Sequence, residues 1–378
     1  MPLRFETVRA EDMTARDWGR IDAVRASQPA YASPFYDPLY TRAAARAQSG
    51  IAVGFARLRG ETVAAWPLQL RSQGWSRPVG APFSDWDGPV VAAGHDLEPA
   101  DFLRGLGRTG HSGSNFAAPV RTGHAHRIET ASAISEIGDD GAAFLAACAA
   151  AHPRQFKKLR RLERRLHASH EVRFAVNRAG EADFERLIAL KRAQLRASGL
   201  HDVLGQRWVR HFLDALRAAP TADFGPAFAT LHLDGELAAA EFNLRSGPVM
   251  HGWIAAYDPR FAALSPGHML SLQLMQHLPA IGVTRYDAGS SEHDYKRFYA
   301  NAEARGWSAT IETGPTRRPE RIAARMTRYL EQHAPSPAAG LLTRSRRRFD
   351  QICATELTPL HRALGAAAAL RRIARPGA

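Results

Sequence analysis

Along residues 171–312 the spacing of apolar side chains changes repeatedly, and each change predicts an element. Glu171-Val172-Arg173-Phe174-Ala175-Val176 alternates with the period of a half-buried strand. From Ala182 to Arg196, Phe184, Leu187, Ile188, Leu190 and Leu195 recur at helical spacing; Trp208, Phe212 and Leu216 do the same from Gln206 to Ala218. Three strands follow as a meander, Phe228–Leu233, Leu237–Leu244 and Val249–Tyr257. The tight-turn dipeptide Asp234-Gly235 joins the first two, and Ser246-Gly247-Pro248 joins the next. Then come a helix from Pro266 to about Ala280, a strand Arg285–Ala288, a short helix Asp294–Ala300 and a last strand Trp307–Glu312.

An antiparallel meander followed by a parallel crossover, in this order, is similar to the GNAT fold. The first half repeats it faintly. Phe55-Ala56-x-Leu58 matches Phe228-Ala229-x-Leu231, Gly60-Glu61 matches Gly235-Glu236, and Leu70-Arg71-Ser72 matches Leu244-Arg245-Ser246. The matches need gaps, and hairpins with like turn chemistry converge by chance; duplication is nonetheless the preferred reading. The expected class is α/β (α+β): tandem GNAT-like domains with mixed, mostly antiparallel sheets. The boundaries follow from breakers: an N-terminal domain 1–147, a C-terminal domain 148–316 after the His152-Pro153 break, and a basic, mainly helical tail 317–378.

Composition narrows the class. Hydrophobic residues make up 45% of the 378, enough to bury a core in each domain. Two cysteines are too few for a disulfide framework, and the 16 histidines are scattered without metal-ligand spacing, so no metal is expected. No basic-then-apolar leader opens the chain, which predicts a cytoplasmic location. The net charge of +13 is local: residues 317–378 contribute +9 and residues 152–173 contribute +6, leaving the remainder at −2. Such segments either meet an anionic partner or form Arg-rich solvated helix faces.

The stretch from Trp253 to Lys296 resembles the CelD-like, or BioF2-like, acetyltransferase family, related to the FemAB group. The resemblance is carried by Trp253 with Tyr257-Asp258-Pro259, by Ser265-Pro266-Gly267-His268-Met269-Leu270, by Tyr286-Asp287-Ala288-Gly289 and by Tyr295-Lys296. Ser33-Pro34-Phe35 and Phe83-Ser84-Asp85-Trp86-Asp87-Gly88-Pro89 add to it upstream. The resemblance implies acyl transfer from acetyl-CoA or another acyl-CoA. It also implies a role in cellulose-like or adhesive exopolysaccharide synthesis, with a saccharide or sugar-nucleotide acceptor.

The chemistry has specific candidates. A helix N-terminus binds pyrophosphate through free amides. Ser265 as N-cap, Pro266 at the first helical position and Gly267 allowing close approach fit such a start, with the amides of Gly267, His268 and Met269 facing the phosphates. An ordinary capped helix fits the same residues. Arg260 and Lys296 could meet phosphates, although Ala262 and Ala263 stand where the usual GNAT loop has glycine. Strand alternation puts Glu241, Asn243 and Arg245 on one face, opposite Ala240, Phe242 and Leu244. Glu241, His251 and Asp258 are therefore the base candidates and Tyr295 the acid. Asp85, Trp86, Trp253 and Asp287 are candidates to line the acceptor cleft. Each has a plainer alternative: a Glu241–Arg245 pair, a strand histidine, a core tryptophan, a helix anchor or a hairpin turn.

Two rival functions stay open. A FemAB-like aminoacyl transferase would lay charged tRNA on Arg154–Arg165, but only Phe156 interrupts that stretch with an aromatic, so nucleic acid is not the expected partner. A non-catalytic regulatory protein would use the Arg344–Arg348 cluster to sense an anionic ligand. The same tail could hold the protein peripherally at the inner membrane face through anionic lipid.

Overall fold

The computed structural model describes residues 2–117, 120, 127–177, 180–218, 221–290 and 294–313, with positions 329, 330, 335 and 352 beyond them. The expected basic tail and its Arg344–Arg348 cluster otherwise lie outside the described residues.

The first half-chain runs β1 (Arg4–Arg9), α1 (Ala15–Ala26), α2 (Pro38–Ala47), β2 (Ile51–Leu58), β3 (Glu61–Leu70), β4 (Trp75–Arg77), β5 (Val90–Val91), α3 (Pro99–Gly105), β6 (Gly110–Ala117) and β7 (Ile128–Glu136). Two linking helices follow, α4 (Gly141–Ala151) and α5 (Pro153–Ser169). The second half-chain runs β8 (Val172–Asn177), α6 (Glu181–Ala197), α7 (Arg207–Ala218), β9 (Phe224–Leu233), β10 (Glu236–Ser246), β11 (Val249–Tyr257), α8 (Pro266–His277), β12 (Arg285–Ser290) and β13 (Ala302–Glu312). Leaving aside the two-residue β5, the halves repeat one order of elements.

Local chemistry sets these boundaries. The Asp37 carboxylate caps α2 through the Leu39 amide at 2.9 Å, with Pro38 at the first helical position, and Asp140 caps α4 through the Ala143 amide at 2.9 Å. Pro153 cannot continue α4 and instead starts α5. Both hairpins turn on two residues with positive φ, Arg59-Gly60 (54° and 90°) and Asp234-Gly235 (52° and 82°), the twist that favours tight β-hairpins. Pro279 closes α8 earlier than the apolar spacing suggests, and a separate 3-10 turn, Pro279–Ile281, follows.

The thirteen strands form one sheet, ordered β1-β2-β3-β4-β6-β13-β7-β12-β11-β10-β9-β8, with β5 paired to β3. The middle of this order carries an exchange. The last strand of the chain, β13, pairs antiparallel with β6 of the first half, and β7 of the first half pairs antiparallel with β12 of the second. β13 and β7 then pair with each other from Ala302–Ile134 to Ser308–Ile128. This double pairing makes β13 longer than the apolar run from Trp307 suggests.

Helices cover both faces. Ala240, Phe242 and Leu244 pack with Phe184, Leu187 and Phe212 of α6 and α7, in a core continuous with the first half. Ala229, Leu231 and Leu233 pack on the other face with Met269, Leu270 and Leu274 of α8 and Phe156, Leu159 and Leu166 of α5. Among the described residues no helix is long and apolar enough to cross a membrane.

Candidate active site

β11 and β12 run parallel and pair only through Val249–His251 and Arg285–Asp287. Beyond these residues no pairing between them continues among the described residues, and a cavity of about 600 Å³ lies where the strands part. Its wall draws on β10, β11, β12, α6, the start of α8, the 294–298 turn and Ser135 of β7.

Glu241 of β10 lines this cavity and is 8% exposed. The Tyr286 hydroxyl, from β12, donates to its Oε1 at 2.5 Å. Gly252 makes the contact possible: a Cβ there would stand 2.0 Å from Tyr286 Oη and 2.8 Å from Glu241 Oε1. Burial pushes the Glu241 carboxyl up, while the Tyr286 hydrogen bond and the charges of Lys296, His251 and Lys191 pull against that rise. Lys191 comes from α6, where its Nζ donates to Ala255 O at 3.0 Å; Lys296 donates to Ala288 O at 2.5 Å. Both lysines line the cavity.

The start of α8 forms the opposite wall. Ser265 takes a left-handed conformation (φ 51°, ψ 53°) and its side chain makes no cap. The amides of His268 and Met269 turn back onto the Ser265 carbonyl at 3.0 and 3.2 Å. Of the three amides expected at an anion, this leaves that of Gly267. Gly267 also leaves open space on its Cα side: the closest atom to a Cβ there would be Tyr257 Cδ1, 4.0 Å away. Ser265, Gly267 and His268 line the cavity, whereas Met269 is 2% exposed and belongs to the core beneath α8. Burial, with the charge of Lys158, holds the His268 imidazole below its ordinary pKa.

Several expected site residues are placed elsewhere. His251, offered as a base, is fully buried beside the cavity wall rather than in it. Its Nε2 meets Asp85 Oδ2 at 2.7 Å, and its Nδ1 lies 3.2 Å from Asp287 Oδ2, an ion-pair contact without hydrogen-bond alignment. Burial opposes its charge, but the Asp287 and Asp85 carboxylates outweigh burial and push the pKa up to about 10. A charged imidazolium cannot accept a proton. Asp287 receives Trp86 Nε1 at 2.8 Å and the Gly289 amide at 2.8 Å, so buried Trp86 and Asp287, with the partly exposed Asp85, clamp His251, and none of the three lines the cavity.

Asp258 is likewise not a base. It caps the 3-10 turn Pro259–Leu264 and is 2% exposed. The Arg260 side-chain hydrogen bonds hold its carboxyl well below the usual carboxylate range, joined by the Arg260 amide and Arg186. Arg260, also paired with Glu236, is thereby committed to carboxylates and does not line the cavity. Tyr295 falls within the 294–298 turn, and its side chain lies outside the described residues. Trp253 serves as both wall and core. Its Nε1 donates to Phe83 O at 2.9 Å and its ring meets Phe35, Tyr40, Phe212 and Phe242.

Sequence reasoning missed Lys191, Gln194 and Tyr299, all of which line the cavity. Tyr299 is 5% exposed, and among the described residues its hydroxyl has no hydrogen-bond partner. Lys191 and Gln194 sit at i and i+3 of α6, a polar step beside its apolar stripe. Among the described residues no group of three or more His, Cys, Asp or Glu is arranged to hold a metal ion.

Residues 153–297 match the family model of the acetyltransferase (GNAT) domain. No curated protein sequence matches the chain. Among solved structures, FemX aligns with a TM-score of 0.54 at 11% identity, covering 80% of this chain and 96% of that one. A tandem GNAT protein from the clavulanic acid biosynthesis pathway aligns at 0.48 and 13%, covering 83% of this chain and 100% of that one. L-PGS from Bacillus licheniformis aligns at 0.45 and 10%, covering 81% and 94%. At 11% identity the FemX likeness speaks to fold alone. Residues 153–297 are thus similar to a GNAT acetyltransferase domain, and the same order of elements occurs in both halves of the chain.

Proposed function

We propose that this GNAT-domain acyltransferase moves an acyl group from acyl-CoA to an amine or hydroxyl of a saccharide precursor. The carrying observation is that Glu241 and the open amide tip at Gly267 share one cavity between parting parallel strands. In this reading the Gly267 amide meets the pyrophosphate and the thioester arm enters between β11 and β12. The acceptor nucleophile attacks the thioester carbonyl, the C–S bond breaks and CoA leaves as thiolate. Glu241 takes the nucleophile's proton, a role suited to a carboxyl raised by burial. Tyr286 holds that carboxylate in place. Tyr299 joins Tyr295 as a candidate to protonate the thiolate. The saccharide acceptor, and a place in exopolysaccharide synthesis, rest on the family resemblance of residues 253–296.

A second reading is aminoacyl transfer from charged tRNA, and one feature favours it. Seven Arg and Lys side chains of α5, from Arg154 to Arg165, are exposed, and none forms an ion pair among the described residues. Calorimetry separates the two. Acetyl-CoA is expected to bind the wild-type chain, and Gly267→Trp to weaken it by about a hundredfold with an unchanged melting profile, because the indole projects into open space. Binding of charged tRNA with no heat from any acyl-CoA would overturn the first reading in favour of the second.

A further inference from the structure

The solvent face of α5 carries one sign of charge. The helix buries Phe156, Leu159 and Leu166 against α8 and the sheet, and every Lys and Arg from Arg154 to Arg165 is exposed on its other side. At 3.6 residues per turn these basic positions fall within an arc of about 160° and along about 16 Å of helix. Pro153 and Ala168 alone interrupt the arc, and it holds no acid. The acid of the helix, Glu163, is turned away, where its Oε1 accepts from Gln273 Nε2 of α8 at 3.2 Å. A helix face that only meets water gains by mixing signs at i and i+4. Here Arg154–Lys158, Lys157–Arg161, Arg160–Arg164 and Arg161–Arg165 are like-charge pairs, which cost helix stability. A polyanion against this face would turn that repulsion into attraction.

The neighbouring helix selects among polyanions. α4 leads into α5 at the His152-Pro153 break and packs against both α5 and α8. Each exposed residue of α4, from Ala142 to Ala151, is alanine, so its solvent side offers water no side-chain polar group. Cations on one helix and an apolar face on the next match a lipid headgroup zone, where phosphates and the acyl boundary lie together. Nucleic acid gives an alanine face nothing to bind. The α5 arc also has no aromatic to stack on an unpaired base and no amide to read a base edge. The surface lies beside the cavity: α5 packs on α8 and on the turn Pro259–Leu264, and the charge of Lys158 reaches His268 in the cavity wall.

We propose that α4 and α5 form a docking surface for an anionic lipid bilayer, α5 meeting the headgroup phosphates and α4 resting its alanine face on the apolar boundary. The inference is independent of the acyl donor and of the role of Glu241. It gives the basic helix a partner other than charged tRNA.

Sedimentation of the full chain with vesicles tests it, using phosphatidylcholine alone and an equimolar mixture with phosphatidylglycerol. The mixed vesicles should bind at least about thirtyfold tighter, and binding should fall steeply as sodium chloride is added. Lys157→Gln/Arg161→Gln/Arg164→Gln should weaken that binding by about a hundredfold with an unchanged melting profile, and Lys157→Gln alone by about fivefold. Lys157→Arg/Arg161→Lys/Arg164→Lys, which keeps the charge, should bind as the wild type does. Equal binding to both kinds of vesicle overturns the inference. So does a loss that follows Arg346→Gln/Arg347→Gln/Arg348→Gln in the tail while the α5 variants bind normally. Transfer RNA without its amino acid is the competitor: if it strips the chain from mixed vesicles at equal phosphate concentration, the face belongs to nucleic acid and the lipid assignment falls.

Discussion

Each half-chain contains two parallel strands that part after a few residues, β4 from β6 beyond Ser76 and His111, and β11 from β12 beyond His251 and Asp287. In the first half the gap is filled. Asp87 bridges to Phe116, its Oδ2 meets His111 Nε2 at 2.8 Å and its Oδ1 accepts from Trp66 Nε1 at 3.3 Å. Ser76 Oγ closes the chain 2.9 Å from His111 Nδ1, and Phe116 stacks on Trp307 at 4.2 Å. In the second half the same loop sends Asp85 and Trp86 only as far as His251 and Asp287, and the space past Gly252 stays open. Serine, histidine and aspartate in hydrogen-bonded sequence therefore do not mark a site here, because they satisfy one another out of reach of any substrate. The candidate site is marked instead by polar groups that face a hollow.

The comparison breaks most sharply at Glu241, in the open half. Glu241→Gln should lower kcat by about 10²–10⁴-fold while acetyl-CoA still binds. In the wild-type chain kcat/KM should rise with pH through a value above the ordinary carboxylate range, since burial raises the Glu241 pKa and the ionised form is the proposed base. That limb should vanish in the variant; a profile that keeps it would remove Glu241 from the base role.

In the plugged half the corresponding change should act on stability. His111→Ala strips a donor from the buried Asp87 carboxylate and a partner from Ser76, at a cost of about 3 kcal/mol in denaturant unfolding. A loss under about 1 kcal/mol would show that the His111 network does not hold the plug.

The clamp on His251 gives the most specific signal, one confined to a pH window. Its folded pKa, pushed up to about 10, lies above the ordinary histidine value, so the folded chain keeps a proton that the unfolded chain releases. Stability from this group is fully present below about pH 6.5 and is lost as pH rises through the folded value, with a steepest slope of about 1.4 kcal/mol per pH unit. His251→Gln should flatten that slope over the same window; an unchanged slope would assign it to other groups.

Much of the second half was legible because its signals are local. Asp234-Gly235 announces its hairpin, the apolar spacing of α6 and α7 announces their buried faces, and Ser265-Pro266-Gly267 announces the start of α8. Glu241 followed from alternation along one strand. What was not legible depends on distant parts of the chain. β6 opens with Gly110-His111-Ser112-Gly113-Ser114-Asn115, which has no strand pattern and becomes a strand through its pairing with β13. His251 reads as a free base until Asp85, 166 positions away, closes on it. Lys191 carries no signal of its own in the sequence, since only the course of β11 beneath α6 brings it to Ala255. Asp258 looked available until Arg186 of α6 reached it.

The traded strands β7 and β13 bind the two halves into one assembly problem. During synthesis β6 emerges long before β13, its neighbour in the finished sheet, so the leading half must wait with an unfilled edge until the ribosome has passed residue 312. A chain cut between the halves would leave each piece short of one central strand. Separately produced pieces should accordingly recover the sheet only by finding each other, or by borrowing the missing strand from a second molecule.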